Sequence, residues 1–365
     1  MEKITELKVC GREISLSIDF PTSYNHSFRE GQGRITHHVF VRLNAGELTG
    51  YGEGTELTMF TGGTSRTMEE IIREHFAEVI LGCTIGDALR AFREIIMRHP
   101  HNPGAKLGVE MALYDLLGKA RGVPLYELLG RRMRDEIPLC HAIGALSPAR
   151  AAEQAQDAIK AGFHTLKLKA NGDVPKDLER INTVLEVMPP DGRLRVDANQ
   201  GWESFRRAGE ALRELAWNHR IEYIEQPVRR ERITDMRKLS DRYGIPIFAD
   251  ESIHTPQEAM RMLQEDLVDG ICIKVAKCGS LADGKLIADM AALHGVPITP
   301  VCAFATSLGA MAELHMTTTI PLLSSAIDMG PWKLKEDFSR PRLQRAPILT
   351  VPEAHGIGAE LEIKF

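Results

Sequence analysis

No Cys-x-x-Cys pair occurs among the six cysteines, and Cys10, Cys83, Cys140, Cys272, Cys278 and Cys302 are scattered along the chain. That argues against both a zinc site and a disulfide framework, and leaves most of them as small buried hydrophobes. His141, His254 and His294 have no metal-ligand spacing and read as structural. No apolar run approaches the length that spans a bilayer, and the opening stretch MEKITELKVCGREI alternates like a strand without the apolar core of a signal peptide. A cytoplasmic location is the expectation. A block of Lys or Arg is also missing: 45 basic against 50 acidic residues give a net charge of -5, so neither nucleic acid nor an anionic membrane is an expected partner. The glycine-rich pieces GQG (Gly31 to Gly33), GYGEG (around Gly52) and GIG (Gly356 to Gly358) do not fit a strand-to-helix phosphate loop and read as turns.

What is present is a chain of 365 residues, 43% hydrophobic and 26% charged, with an ordinary globular composition. It exceeds what one hydrophobic core usually holds. Alternation over Ile4 to Ile18 and His37 to Leu43, followed by GYGEG, predicts a small antiparallel sheet. Helical periodicity predicts helices over Thr67 to Leu81, Asp87 to Arg98 and Ala105 to Ala120, the last between Pro103 as start and Gly122 as stop. Residues 1–130 thus read as an α+β domain.

From Pro138 onward short apolar strands alternate with amphipathic helices: PLCHAIG, HTLKLK, LRVDAN, YIEQP, IPIFADES, GICIKV, VPITPV and SSAIDM. The C-terminal ends of the later strands recur at about one βα unit, near 169, 197, 225, 250, 274, 300 and 328. A doubly wound sheet would also alternate, but a barrel explains why polar residues end strand after strand, since they project into one mouth. The fold expected is α/β, a modified TIM barrel of (β/α)7β type over 131–334 with an N-terminal α+β domain. After Trp332 the alternation in ILTVP and ELEIKF predicts that the tail, about 335–365, completes the first domain in place of an eighth helix.

Asp197, Glu225 and Asp250 end three successive strands at separations of 28 and 25 residues, so in a barrel they converge. Any one alone would read as a helix N-cap or surface charge. Three in phase require a cation, and an all-oxygen set that leaves room for water and substrate suits Mg2+, with Mn2+ chemically allowed. Asn199 in DANQGW, Gln226 in EQP and Glu251 in ADES stand beside them as supports for the carboxylates. Lys167 and Lys169 share one face of the preceding strand and Lys274 ends the following one, so lysines flank the metal position from both sides.

LKLKA, DANQGW, EQP, ADES and IKVAKCGS together resemble the barrel motifs of the enolase superfamily, in its muconate-lactonizing-enzyme subgroup. GVEMALYDLLGKARGVPLYELLG resembles the end of that family's capping domain and the entry to its barrel, so the likeness covers nearly the whole chain. The resemblance implies that Asp197, Glu225 and Asp250 bind Mg2+, that Lys169 and Lys274 are the acid/base pair, and that Lys167 is a neighbouring cation. It also implies a small-molecule carboxylate substrate and a homo-oligomer. The chemistry agrees: removing a proton beside a carboxylate makes a dianionic enediolate, which a metal ion stabilises.

Two flanking lysines suit proton exchange on both faces, and the GYGEGTELTMFTGGT loop resembles those of dipeptide epimerases and related amino-acid racemases. The expected function is racemisation or epimerisation of a dipeptide or N-substituted amino acid; the alternative is a cycloisomerase or dehydratase. Two positions depart from the family pattern. Dipeptide epimerases usually carry Asp-x-Asp at the eighth strand, whereas here AIDMGPW supplies Asp328 alone with Gly330 in the second place, and Ala305 stands where many relatives have Glu. Expected substrate contacts are Tyr24, His26, Phe60, Phe304, Asp328 and Met329, with Asp19 to Gly33 and Gly54 to Gly63 as closing loops.

Overall fold

The structure is a computed structural model that describes residues 2–23 and 34–365. Strands β1 (Ile4–Ser15), β2 (Ile35–Ala45) and β3 (Leu48–Thr55) form the expected antiparallel sheet in chain order. The helix Pro103–Arg121 lies across it, ended by Gly122 in the left-handed conformation. Gly50, Gly52 and Gly54 of β3 share one face and let helix backbone approach: a Cβ on Gly52 would stand 2.0 Å from the Gly108 carbonyl oxygen. Val39, Val41 and Leu43 pack there against Leu113, Phe76 and Phe92.

The helix expected over Thr67 to Leu81 is broken by a π turn, Ile72–Phe76, between α segments Ser65–Ile71 and Ala77–Ile80. Its buried residues, Met68, Ile72, Phe76 and Ile80, recur every fourth position. A pure α-helix rotates such a row by about 40° at each step, and the wider turn brings it back onto the sheet.

All eight expected barrel strands form: β4 (Glu136–Ile143), β5 (Thr165–Lys169), β6 (Arg193–Asp197), β7 (Ile221–Glu225), β8 (Ile247–Ala249), β9 (Gly270–Ile273), β10 (Ile298–Pro300) and β11 (Ile327–Asp328). They are parallel neighbours in chain order, and β11 returns to pair with β4. A single bridge, Val301 to Asp328, links β10 to β11, so the barrel is nearly closed. Helices from Pro148–Lys160 through Ser307–Thr318 cover the outside. Trp202, fully buried, packs at the exit of β6 and donates its indole N–H to Asp177 at 3.0 Å.

After β11 a short 3-10 turn, Pro331–Lys333, replaces an eighth helix. The tail then divides its contacts between the two parts of the molecule. Strands β12 (Ser339–Arg340) and β14 (Glu360–Leu361) pair with each other, while β13 (Ile348–Thr350) adds antiparallel to the start of β4 in the barrel. The tail's contacts with the N-terminal sheet come at both ends: Lys335 donates its backbone N–H to the Ser15 carbonyl at 2.9 Å, the Phe338 ring stands edge-on to Phe40 of β2 at 6.0 Å, and Arg12 donates to the Lys364 carbonyl at 2.8 Å. Among the described residues no helix is long and apolar enough to cross a membrane.

Candidate active site

Strand register sets the mouth of the barrel. Lys169 pairs with Asp197 and Asp197 with Glu225 across β5, β6 and β7, which places all three at one level. In the strand order β10-β9-β8-β7-β6-β5-β4-β11, β5 and β9 stand four places apart in a ring of eight. Lys169 and Lys274 therefore enter from opposite sides, with the carboxylate-bearing strands β6, β7 and β8 between them. Asp197, Glu225 and Asp250 each offer an oxygen within 4.8 Å of the others, and all three are fully buried.

Lysines surround this triad. Lys167 Nζ lies 2.9 Å from Glu225 Oε1, 3.3 Å from Asp197 Oδ2 and 3.2 Å from Asp328 Oδ2. Lys169 pairs with Asp197 and Lys274 with Asp250. Lys277, one helical turn beyond Lys274, donates to the Asp250 backbone carbonyl and to its carboxylate at 2.5 Å. Burial alone would raise the Asp197 and Asp250 carboxyls, but Lys169 and Lys167 around the first, and Lys274 and Lys277 around the second, hold both well below the usual range. Glu225 behaves differently: burial and the neighbouring Asp197 push it up to about 8 despite Lys167. Three carboxylates converge here on one point, and a divalent cation among them would offset their mutual repulsion. The oxygen-only donor set fits such an ion.

The supporting residues act mainly through loop backbone. The Asn199 backbone N–H donates to Asp197 Oδ1 at 2.9 Å, while its side-chain amide donates to Glu251 Oε1 at 3.0 Å. Gln226 braces the next loop: its Oε1 accepts from the Asp250 backbone N–H at 3.0 Å and its Nε2 donates to Ser252 at 2.9 Å. Asn199 and Gln226 hold φ of 42° and 37°, a left-handed geometry that lets the chain leave each strand without moving the carboxylate.

Above the triad lies a cavity of about 840 Å³, counted to include its opening to solvent, that reaches Lys169, Lys274 and Asp328. Phe60 lines it, with Lys274 Nζ 4.7 Å from its ring centroid. Phe304 lines it too, edge-on to Phe20 at 5.6 Å and held at φ 55°. Met329 sits with the apolar core at 1% exposure and is not among the lining residues: Asp328 faces the mouth, so its strand neighbour faces away. Tyr24 and His26 lie outside the described residues.

Three contributors escape sequence reasoning. Lys277 has a weak signal, as the second lysine of IKVAKCGS at helical spacing from Lys274. Lys333 and Arg34 line the cavity from a turn and from the edge of β2, where no periodicity marks them. A fourth residue shapes the rim from below. The Glu53 carboxylate on β3 accepts from the Thr306 N–H at 2.9 Å, the Thr306 hydroxyl at 2.6 Å and the Gly309 N–H at 3.0 Å, so it fixes the start of the helix that follows Phe304.

Comparison with known proteins agrees with this geometry. Residues 150–364 match the family described as "Enolase C-terminal domain-like", and 29–130 match the "Mandelate racemase / muconate lactonizing enzyme, N-terminal domain". The chain is 31% identical to the L-Ala-D/L-Glu epimerase of Bacillus subtilis over 88% of each chain. It is 26% identical to the N-succinyl-L-Arg/Lys racemase of Bacillus cereus, over 98% of this chain and 95% of that one. The dipeptide epimerase of Enterococcus faecalis, solved with Mg and the dipeptide L-Leu-L-Tyr, superposes with a TM-score of 0.90 at 28% identity, covering 98% of this chain and 99% of that one. With a nearly closed barrel, a converging acidic triad and family matches on both parts of the molecule, the chain belongs to the mandelate racemase/muconate lactonizing enzyme group of the enolase superfamily.

Proposed function

We propose that the protein is an isomerase that moves the proton beside the carboxylate of an N-substituted amino acid or dipeptide, with Mg2+ held by Asp197, Glu225 and Asp250. The observation that carries this reading is the placement of Lys169 and Lys274 on opposite strands, both opening onto one cavity beside the triad. Bound there, the cation supplies Lewis-acid stabilisation for the charge that develops on the substrate carboxylate. Lys169 takes the α-proton from one face as a neutral amine, and Lys274, as an ammonium, returns one to the other face. Running the sequence in reverse exchanges their roles, so both configurations are substrates. Lys167, fully buried against Glu225, adds fixed positive charge where the anion forms. Phe20, Phe60 and Phe304 wall the cavity and keep water from the stripped α-carbon.

The test is incubation of a pooled library of L-dipeptides and N-acyl amino acids with enzyme and Mg2+ in D2O, read by mass spectrometry and chiral separation. Gain of one deuterium with appearance of the other configuration is the expected result. Formation of an alkene or lactone from β-substituted acids, with no exchange in the library, would make the enzyme a lyase.

A further inference from the structure

Lys277 is buried beside the triad and takes no part in lining the cavity above it. It stands on the single short turn, Val275–Cys278, that follows Lys274. Its ammonium donates to the Asp250 backbone carbonyl and to Asp250 Oδ1 at 2.5 Å, and among the described residues it has no other carboxylate partner. The second oxygen of that carboxylate, Oδ2, meets Lys274, which does line the cavity.

Asp197 is divided in the same way. Its Oδ1 accepts the Asn199 backbone N–H at 2.9 Å, while its Oδ2 meets Lys169 of the cavity wall and Lys167 at 3.3 Å. Each aspartate thus has one oxygen tied by a fixed donor and the other turned to the mouth, so a cation entering from the cavity meets one oxygen of each. The two ties differ in kind. That on Asp197 is a peptide group already present where the chain leaves its strand, whereas that on Asp250 is a buried ammonium, which is costly to keep out of water and serves nothing else. Ligation through one oxygen discriminates between cations: Mg2+ keeps several waters and needs few protein oxygens, while Ca2+ takes more of them and gains from carboxylates that offer both.

We propose that Lys277 is a positioning residue that selects the metal: by holding Asp250 Oδ1 it restricts this carboxylate to ligation through one oxygen and so favours Mg2+ over Ca2+. The assignment rests on the cation site of the function proposed above and asks nothing of the substrate. Lys277 acts through Asp250 alone, from outside the cavity in which the substrate is held.

The test measures binding and not turnover. Titration calorimetry on chelator-treated protein gives Kd for Mg2+ and for Ca2+ in wild type, Lys277→Met and Asp250→Asn. Wild type should prefer Mg2+, and Lys277→Met, which keeps the length of the side chain and loses the donor, should move the preference towards Ca2+ by about tenfold, the scale of one charge-assisted hydrogen bond. The readout is a ratio, so the loss of one positive charge or a looser fold, which touch both cations alike, cancels from it. Should Lys277→Met misfold, infrared difference spectra of wild type with isotope-labelled aspartate carboxyls decide: on adding Mg2+ the labelled bands should split as for ligation through one oxygen, and the splitting of two-oxygen ligation overturns the proposal. An unchanged ratio in folded Lys277→Met, or a wild-type preference for Ca2+, overturns the role of Lys277 and leaves the cation site standing. Absence of Mg2+ binding in wild type, or undiminished binding in Asp250→Asn, overturns both.

Discussion

Substituting Gly52 by Ala tests whether the N-terminal sheet is held to its helix by backbone contact. The added Cβ would stand 2.0 Å from Gly108 O, 2.8 Å from Ala112 N and 3.0 Å from Gly108 C. All three are backbone atoms, so no rotamer change relieves the clash. Restoring an ordinary contact of about 3.5 Å requires strand and helix to separate by roughly 1.5 Å, which opens the packing of Val41 and Leu113 beside them. Overpacking usually costs about 1–3 kcal/mol, and a contact with nothing flexible in it belongs at the top of that range, about 3 kcal/mol. The shift also reaches the active site, because Glu53 is the next residue of β3. Urea unfolding followed by far-UV circular dichroism measures the loss, with Gly63→Ala as control. A Cβ at Gly63 meets nothing closer than 3.8 Å, so that variant should stay within about 0.5 kcal/mol of wild type. Loss of less than about 1 kcal/mol in Gly52→Ala, with an unchanged denaturant dependence, would refute the reasoning.

Three further expectations concern charge. Glu110 is buried between the N-terminal part and the barrel, accepting from the Ser280 hydroxyl at 2.7 Å and the Leu281 N–H at 2.6 Å, and burial raises its carboxyl from 4.5 to about 7. The folded protein therefore holds this proton more tightly than the unfolded chain, so the group's stabilising contribution is full below pH 4.5 and is lost as pH rises through about 7. That loss is about 3 kcal/mol, and Glu110→Gln should flatten it in thermal midpoints measured from pH 4.5 to 8; an unchanged slope would contradict the assignment. Glu53→Gln keeps the shape but not the charge that receives Thr306 and Gly309, and should cost about 2 kcal/mol and raise KM through the displaced Phe304 loop; wild-type KM and stability would count against it. Adding Mg2+ at a hundred times its Kd to chelator-treated protein should stabilise it by about 2.7 kcal/mol, and Asp250→Asn should abolish that response in a thermal shift assay.

The barrel and its acidic triad are legible in the sequence because two simple periods coincide. Strands repeat at the βα interval, and within a strand alternate residues share a face, so Lys167 with Lys169 and the strand-ending Asp197, Glu225 and Asp250 could be superposed before any coordinates. The same rule, applied to β11, separates Met329 from Asp328. Residues held by turns carry no such signal. Lys333 reaches the cavity only because a 3-10 turn follows β11 and Gly330 leaves space, and Arg34 only because β2 begins at its edge. The π turn at Ile72–Phe76 and the division of the tail between β4 and the N-terminal sheet are likewise decided by tertiary packing, which a local hydrophobic pattern does not encode.

The most direct test of the central claim, that Lys169 and Lys274 serve opposite faces of one α-carbon, is solvent deuterium exchange by Lys169→Ala and Lys274→Ala on each pure configuration of a substrate. Both variants should lose racemisation, and each should keep exchange with one configuration only, the opposite one in the two variants. Racemisation by either variant, or both sparing the same configuration, would contradict the two-lysine account.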